Sequence, residues 1–304
     1  MNAVLLLAGL VALFAGGDSL VRGAVGIARR LAIPPLLIGL SVVGFGTSTP
    51  ELLVSVDAAL RNVPDIALGN VVGSNIANIL LIVGVAALVW PIRMTGSTLP
   101  RDTAVMLVAA VVLVPLFWLG TLGRVAGAAL LAGLVGYVLW AYLRPGTEQA
   151  VPAERAMKLG HALVWLAVGL VGLILGARFL VDGAVGIARG LGVSEAFIGL
   201  TVVAVGTSLP ELATSLIAAF RRQSEIAIGN IVGSNVFNVL GILGATALIA
   251  PIPVAPRFLA FDLPIMIAVS AVLTALLLLR PRIGRIAGLA LLLAYAAYVG
   301  AARG

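Results

Sequence analysis

The sequence predicts an all-α integral membrane protein of ten transmembrane helices, arranged as two inverted-topology repeats of five with broken helices at the centre. Three observations carry that prediction. The first is composition: 62% of the 304 residues are hydrophobic and only 10% are charged. A soluble domain has roughly 25% charged residues, so soluble and disordered chains are both excluded. The second is span arithmetic. One bilayer crossing takes about 20 apolar residues plus a connection, so a chain of this length holds about ten. The third is an internal repeat. A shift of 160 residues lays 23–84 on 183–244 without a gap, and about 35 of the 62 pairs are identical. Each repeat holds five spans, an odd number, so equivalent helices cross the membrane in opposite directions.

In chain order the apolar runs place spans at 3–28, 34–59, 66–89, 103–119, 125–143, 161–188, 195–219, 226–249, 259–279 and 284–300. The N-terminus lacks a basic leader and a small-residue cleavage site, so Val4 onward reads as the first span rather than a signal peptide. The connections are short and marked by Arg, Pro or Asp, as at Arg61 to Pro64, Arg221-Arg222 and Arg280-Pro281-Arg282. The longest polar stretch runs from Arg144 to Lys158. The expected organisation is therefore an N-terminal repeat at 1–143, a linker at 144–160 and a C-terminal repeat at 161–304.

Charge sets orientation. With the N-terminus outside, about twelve basic residues fall in inside loops and five in outside segments, a positive-inside bias. Both termini are then expected outside and the linker in the cytoplasm, in a cell (inner) membrane. The formal charge of +7 is spread singly and in pairs between apolar runs, which argues against nucleic acid. There is no cysteine and a single histidine, His161, so thiolate, zinc and copper sites are excluded. Any metal must be held by oxygen, which selects hard cations. No phosphate loop is present and the only lysine is Lys158. Without a nucleotide-binding domain, transport would have to run on an ion gradient.

The chemistry lies in two pairs of polar, glycine-rich breaks. Gly44-Phe45-Gly46-Thr47-Ser48-Thr49-Pro50-Glu51 recurs as Ala204-Val205-Gly206-Thr207-Ser208-Leu209-Pro210-Glu211. Gly69-Asn70-Val71-Val72-Gly73-Ser74-Asn75-Ile76-Ala77-Asn78 recurs as Gly229-Asn230-Ile231-Val232-Gly233-Ser234-Asn235-Val236-Phe237-Asn238. Proline within a span frees the carbonyl four residues back, here Gly46 and Gly206, and glycine beside it permits unwinding. Irregular backbone at membrane depth survives only against protein or a cavity. Glu51 and Glu211 sit mid-span without a basic partner in either break. A carboxylate there costs about 2.5–3.5 kcal/mol even on the insertion scale, and a bound cation would neutralise the pair. Thr47 and Ser48 share a helix face with Glu51, and Ser74 with Asn78 and Ser234 with Asn238 are four apart. Together they supply the six to eight hard oxygens that Ca²⁺ takes.

Blander readings apply elsewhere. Gly23, Gly26, Gly183 and Gly186 read as close helix packing. Asp18 with Arg22, and Arg178 with Asp182, read as i, i+4 ion pairs. Asp57, two turns past Glu51, is placed near a vestibule, and His161, Trp90, Trp140 and Tyr142 at span ends near the interface.

The doubled motifs G-x-G-T-S-x-P-E and G-N-x-V-G-S-N-x-x-N resemble the repeats of the sodium/calcium exchanger branch of the cation/calcium antiporter superfamily. The resemblance covers both repeats and the ten-span plan, so nearly the whole chain, and the doubled motif is highly specific. It implies a core of spans 2, 3, 7 and 8 crossed by long, tilted spans 1 and 6. Carried over, a calcium site uses Glu51, Glu211 and the Thr47 and Thr207 carbonyls. Sodium sites add Ser48, Ser74, Ser208, Ser234 and the carbonyls of Gly44 and Ala204. Asn78 and Asn238 complete the centre. Some relatives carry Asp where this chain has Asn238, which argues here against potassium co-transport.

The implied function is a secondary antiporter, functional as a monomer in the bilayer, exchanging the transported ions Na⁺ and Ca²⁺ by alternating access without cofactor or nucleotide. A proton/calcium antiporter using the same glutamates is the alternative, and a cation channel the reading from another class. No catalytic set points to an enzyme.

Overall fold

A computed structural model of the chain describes residues 1–93, 99–144, 157–191, 204–279 and 282–302. Most of the expected linker and the first part of the span expected at 195–219 lie outside the described residues.

Helix α1 (Asn2–Leu31) runs unbroken, with Arg29 and Arg30 in its last turn against the negative end of the helix dipole. It stops at Ala32, whose left-handed φ of 53° turns the chain into Ile33-Pro34-Pro35. There follow α2 (Pro35–Thr47), α3 (Thr49–Leu60) and α4 (Pro64–Val89). Next come β1 (Ile92–Arg93), α5 (Leu99–Trp118), β2 (Thr121–Leu122) and α6 (Arg124–Leu143). Beyond 144 come α7 (Leu159–Gly190), α8 (Ala204–Thr207), α9 (Leu209–Phe220) and α10 (Ser224–Ile249). The chain continues through β3 (Ile252–Pro253), α11 (Phe258–Leu279), β4 (Arg282–Ile283) and α12 (Arg285–Ala301). Among the described residues seven helices are long and apolar enough to cross a bilayer, and the bent pair α2–α3 makes an eighth. α9 and α12 are apolar but shorter.

Burial sorts these helices. The apolar windows of α4 and α10 are 78% and 94% buried, against 22–39% for α1, α5, α6, α7 and α11. α4 and α10 therefore form the centre, and the others turn rows such as Leu7, Leu10 and Phe14, or Val164, Val168 and Val171, outward. Outward apolar rows suit hydrocarbon, where water would penalise them.

α1 and α7 lie antiparallel in close contact. Gly9, Gly16 and Gly23 face the backbone at Leu180, Leu173 and Leu166. Gly169, Gly176 and Gly183 return the contact onto α1, at Leu20, Leu13 and Leu6. A glycine every seventh residue on both helices removes the side chains that would hold the axes apart. A Cβ on Gly169 would lie 2.3 Å from Leu20 N, so alanine cannot replace glycine without separating the pair.

Two short antiparallel ribbons link distant connections. β1 pairs with β4, Ile92 opposite Ile283, and β2 pairs with β3, Leu122 opposite Ile252. Ile92, Leu122, Ile252 and Ile283 are all buried.

Two buried aspartates, which the sequence reading passed over, clasp neighbouring helices. Asp102 accepts from Arg101 Nε at 2.7 Å and Tyr137 at 3.3 Å, while Arg101 also donates to the Arg144 carbonyl that ends α6. Asp262 accepts from Arg257 at 3.2 Å and Tyr298 at 3.0 Å, and Arg257 donates to the Ala302 carbonyl that ends α12. Each clasp ties the start of one helix to the end of the next.

Candidate ion-binding site

The break between α2 and α3 is a single residue, Ser48, with the two helices bent by 44°. Pro50 explains it, because its ring removes one helical N–H and crowds the carbonyl of the preceding turn. Ser208 makes the same break between α8 and α9, ahead of Pro210. The glycine-rich stretches expected to unwind instead remain helical on either side of one irregular residue. Their slack is taken up by π-helical turns: Gly39–Val43 in α2, Asn78–Ile82 in α4 and Phe237–Leu243 in α10. A π-turn skips one residue of the hydrogen-bond ladder and marks functional positions often. Here two of the three hold Asn78 and Asn238.

The bend brings together two carboxylates that stand 160 residues apart in the sequence. Glu51 and Glu211 are each 1% exposed. Ser48 Oγ donates to Glu211 Oε1 at 2.9 Å, so the residue one turn before one glutamate holds the other. Glu51 Oε2 and Glu211 Oε2 are buried without a hydrogen-bond donor among the described residues. The same holds for Ser208 Oγ, Asn78 Oδ1 and Asn238 Oδ1. Leaving a buried acceptor unmade costs about 1–3 kcal/mol, more when charged. Five such oxygens on helix segments that pack against one another are a set of buried acceptors in want of a positive partner.

The other expected residues fall around this pair. Thr47 and Ser48 are fully buried. Thr47 Oγ1 lies 3.3 Å from the Gly44 carbonyl and 3.1 Å from Asn230 Oδ1. Ser234 Oγ donates to the same Gly44 carbonyl at 3.2 Å, which Ser48 N also reaches. The Gly44 oxygen is therefore shared by three protein donors, two of them hydroxyls that can rotate away. Ser74 is buried, Thr207 is half-buried and has an interaction of its own, and for Ala204 the backbone alone is described. Asn238 Nδ2 donates to Asn75 Oδ1 at 3.0 Å, joining α10 to α4 at the centre. Among the described residues no group of three His, Cys, Asp or Glu comes together. The site is two carboxylates in a shell of neutral oxygens.

Sequence reasoning missed the residues that hold this shell. Asn70 Nδ2 donates to the Glu51 carbonyl at 2.9 Å and to Ser55 Oγ at 2.8 Å. Asn230 does the same for the Glu211 carbonyl at 3.3 Å and Ser215 Oγ at 3.0 Å. Asn75 and Asn235 reach the sulfurs of Met266 and Met106. The signal was available: each pair is identical at the 160-residue offset. Elsewhere, Asp18 and Arg22 pair at 2.8 Å as expected, with Arg221 joining them. Arg178 and Asp182 do not pair among the described residues. An acid four residues before a base suits the helix dipole, and the reverse order does not. Asp57 pairs with Arg61 at 2.8 Å, both well exposed.

The family model for the sodium/calcium exchanger protein matches residues 1–143 and 161–303. The chain belongs to the sodium/calcium exchanger family. Within that family this exchanger is 39% identical to the inner membrane protein YrbG of Escherichia coli (strain K12), with 96% of this chain and 93% of the relative aligned. It is 32% identical to the sodium/calcium exchanger MaX1 of Methanosarcina acetivorans, over 98% and 97%. A solved structure of the sodium-calcium exchanger NCX_Mj, soaked with Na⁺ and Sr²⁺, superposes with a TM-score of 0.87 at 31% identity, covering 98% of this chain and 97% of that one. The exchanger is a multi-pass membrane protein and a cation/Ca²⁺ antiporter, a transporter and not an enzyme.

Proposed function

We propose that the coupling ion is Na⁺, and that Na⁺ and Ca²⁺ alternate at the Glu51–Glu211 centre. The observation that carries this is the surplus of neutral oxygens beside the carboxylates, Ser208 Oγ, Asn78 Oδ1 and Asn238 Oδ1 above all. A proton needs one carboxylate oxygen and gains nothing from such a shell, whereas Na⁺ and Ca²⁺ need several oxygens each. The names of MaX1 and NCX_Mj support the same choice. In this reading Ca²⁺ takes Glu51, Glu211 and the Thr47 and Thr207 carbonyls. Sodium adds Ser48, Ser74, Ser208, Ser234 and the Gly44 and Ala204 carbonyls, with Asn78 and Asn238 between.

The mechanism is charge compensation. Occluding an empty site of about −2 from water is costly, because buried unpaired charge is expensive. One Ca²⁺ or a group of Na⁺ cancels it, so loaded forms switch readily and the empty form does not. The test is Ca²⁺ flux into proteoliposomes, with Na⁺ and pH gradients imposed separately. Flux is expected to follow the Na⁺ gradient, and Na⁺ should inhibit Ca²⁺ uptake with a Hill slope above one, since a single Na⁺ leaves one carboxylate uncompensated. A slope near one, or flux that follows pH alone, selects proton coupling instead.

The proposed topology is ten spans in two inverted repeats, 1–143 and 161–304, with a cytoplasmic linker at 144–160, both termini outside the cell (inner) membrane and function as a monomer. The ribbons support it: with ten crossings, the β1 and β4 connections fall on one face and β2 and β3 on the other. Single cysteines in place of Gln223 and Gly123 are expected to react with impermeant thiol reagents from the cytoplasm and from outside respectively. Labelling of both from one side would overturn the crossing count, and exchange of their sides would invert the orientation.

A further inference from the structure

On the face that carries the β1–β4 ribbon, a cavity of about 800 Å³ opens between four separate connections. Arg29 enters it from the end of α1, Arg222 from the turn between α9 and α10, Arg282 from β4 and Arg285 from the first turn of α12. Trp90 forms another part of its wall. One carboxylate, Glu225, lines it against four guanidinium groups, and Glu225 has an interaction of its own. Two of the arginines are held in place by neighbours. Arg222 stacks over Trp90 at 4.9 Å from the ring centroid, and Arg285 Nε donates to the Leu88 carbonyl at 3.1 Å. The side chains of Arg29 and Arg282 have no hydrogen bond or ion pair among the described residues. A topology signal requires positive charge on one face but not its convergence on one cavity. All four arginines are exposed, so water screens their mutual repulsion, but four guanidinium groups lining one cavity still raise its positive potential and favour an occupant of opposite sign.

We propose that this cavity binds a phosphate-bearing anion, held by Arg29, Arg222, Arg282 and Arg285. Guanidinium groups present paired donors that match phosphate oxygens, which lysine cannot imitate. The volume lies in the range that encloses a small ligand. Anionic lipid headgroups and soluble phosphate share this chemistry, and basic pockets between membrane helices suit the former. The site stands apart from the Glu51–Glu211 centre and does not depend on which ion couples to Ca²⁺. An anion seated here would bridge the end of α1 to the β4–α12 connection, so occupancy stabilises the fold by mass action.

The experiment is thermal unfolding of the full purified chain in an uncharged detergent. One arm adds phosphatidylglycerol or, as control, phosphatidylcholine. The other adds inorganic phosphate or chloride at matched ionic strength. Wild-type protein is expected to gain about 2 °C or more with phosphatidylglycerol, with phosphate, or with both. A gain with the lipid alone assigns the headgroup as source, and a gain with inorganic phosphate assigns a soluble anion. The double substitution Arg29→Gln with Arg282→Gln should lose at least half of the gain. The charge-keeping pair Arg29→Lys with Arg282→Lys should retain part of it and shows that the positions tolerate replacement. No gain in either arm for wild type, an equal gain with phosphatidylcholine and chloride, or an undiminished gain in the Gln pair would overturn the proposal.

Discussion

Replacing Glu211 by Gln, or Glu51 by Gln, is expected to abolish Ca²⁺ exchange while the protein still inserts and folds. Both side chains are buried and each has one oxygen without a donor. The amide keeps the shape and one acceptor, so Ser48 Oγ still has an oxygen to meet at position 211. What goes is one of two negative charges facing the cation. At an effective dielectric of about 20, two unit charges about 4 Å apart interact by about 4 kcal/mol, and a divalent ion doubles the term. If half of it is lost to compensation, about 4 kcal/mol remains and Ca²⁺ affinity falls by about a thousandfold. The empty protein should be no less stable, because the substitution removes an uncompensated buried charge. The two readouts therefore separate: flux in proteoliposomes vanishes, the melting temperature without Ca²⁺ holds or rises, and its increase on adding Ca²⁺ disappears. Acid acts in the same direction, since protonating either carboxylate removes the same charge. Wild-type flux in either Gln variant would take these residues out of the site.

A second large effect should come from a position with no charge at all. A Cβ built on Gly233 would stand 2.0 Å from the Leu40 carbonyl oxygen and 2.6 Å from its carbon. Those atoms are backbone, so no rotamer change relieves the overlap. Gly233→Ala must push α10 off the π-helical part of α2, and the contacts alongside it go too: Ser234 to the Gly44 carbonyl, and Thr47 to Asn230. Overpacking costs about 1–3 kcal/mol and occasionally more. A backbone clash at the centre belongs at the top of that range, with loss of exchange beyond the loss of stability. Gly136→Ala is the control, because nothing among the described residues comes within 4 Å of its Cβ. Thermal unfolding with Ca²⁺ flux on both variants checks this, and a Gly233→Ala protein with wild-type melting and flux would show that the two helices separate easily.

Much of the fold was legible because the bilayer demands long apolar runs. The helix limits of α1, α6, α7 and α11 fall within a few residues of the runs read from sequence. The glutamates were legible for the complementary reason: a carboxylate flanked by apolar residues needs a partner, and none stood nearby in the chain. What stayed hidden depends on residues that meet only in space. Asp102 looks like part of the polar connection ahead of the run at 103–119 until Tyr137, from the next helix, and Arg101 close over it. Asn70 and Asn230 stood in the repeated motif with no role assigned and act as braces on the carbonyls of Glu51 and Glu211. The extent of unwinding was also overstated. Glycine permits irregular backbone but does not compel it, and neighbouring helices keep all but Ser48 and Ser208 in helical form.

The β1–β4 ribbon has a bearing on how the polypeptide is made. Its strands lie almost two hundred residues apart, at Ile92–Arg93 and Arg282–Ile283. During synthesis the earlier strand emerges while its mate is still untranslated, so its hydrogen-bonding edge has to be shielded by interfacial water until α11 has been inserted. The ribbon then works as a late latch. A nascent chain arrested before β4 would keep the Asp102 clasp between α5 and α6 but carry an open edge at Ile92–Arg93, the mark that separates an unfinished molecule from a finished one.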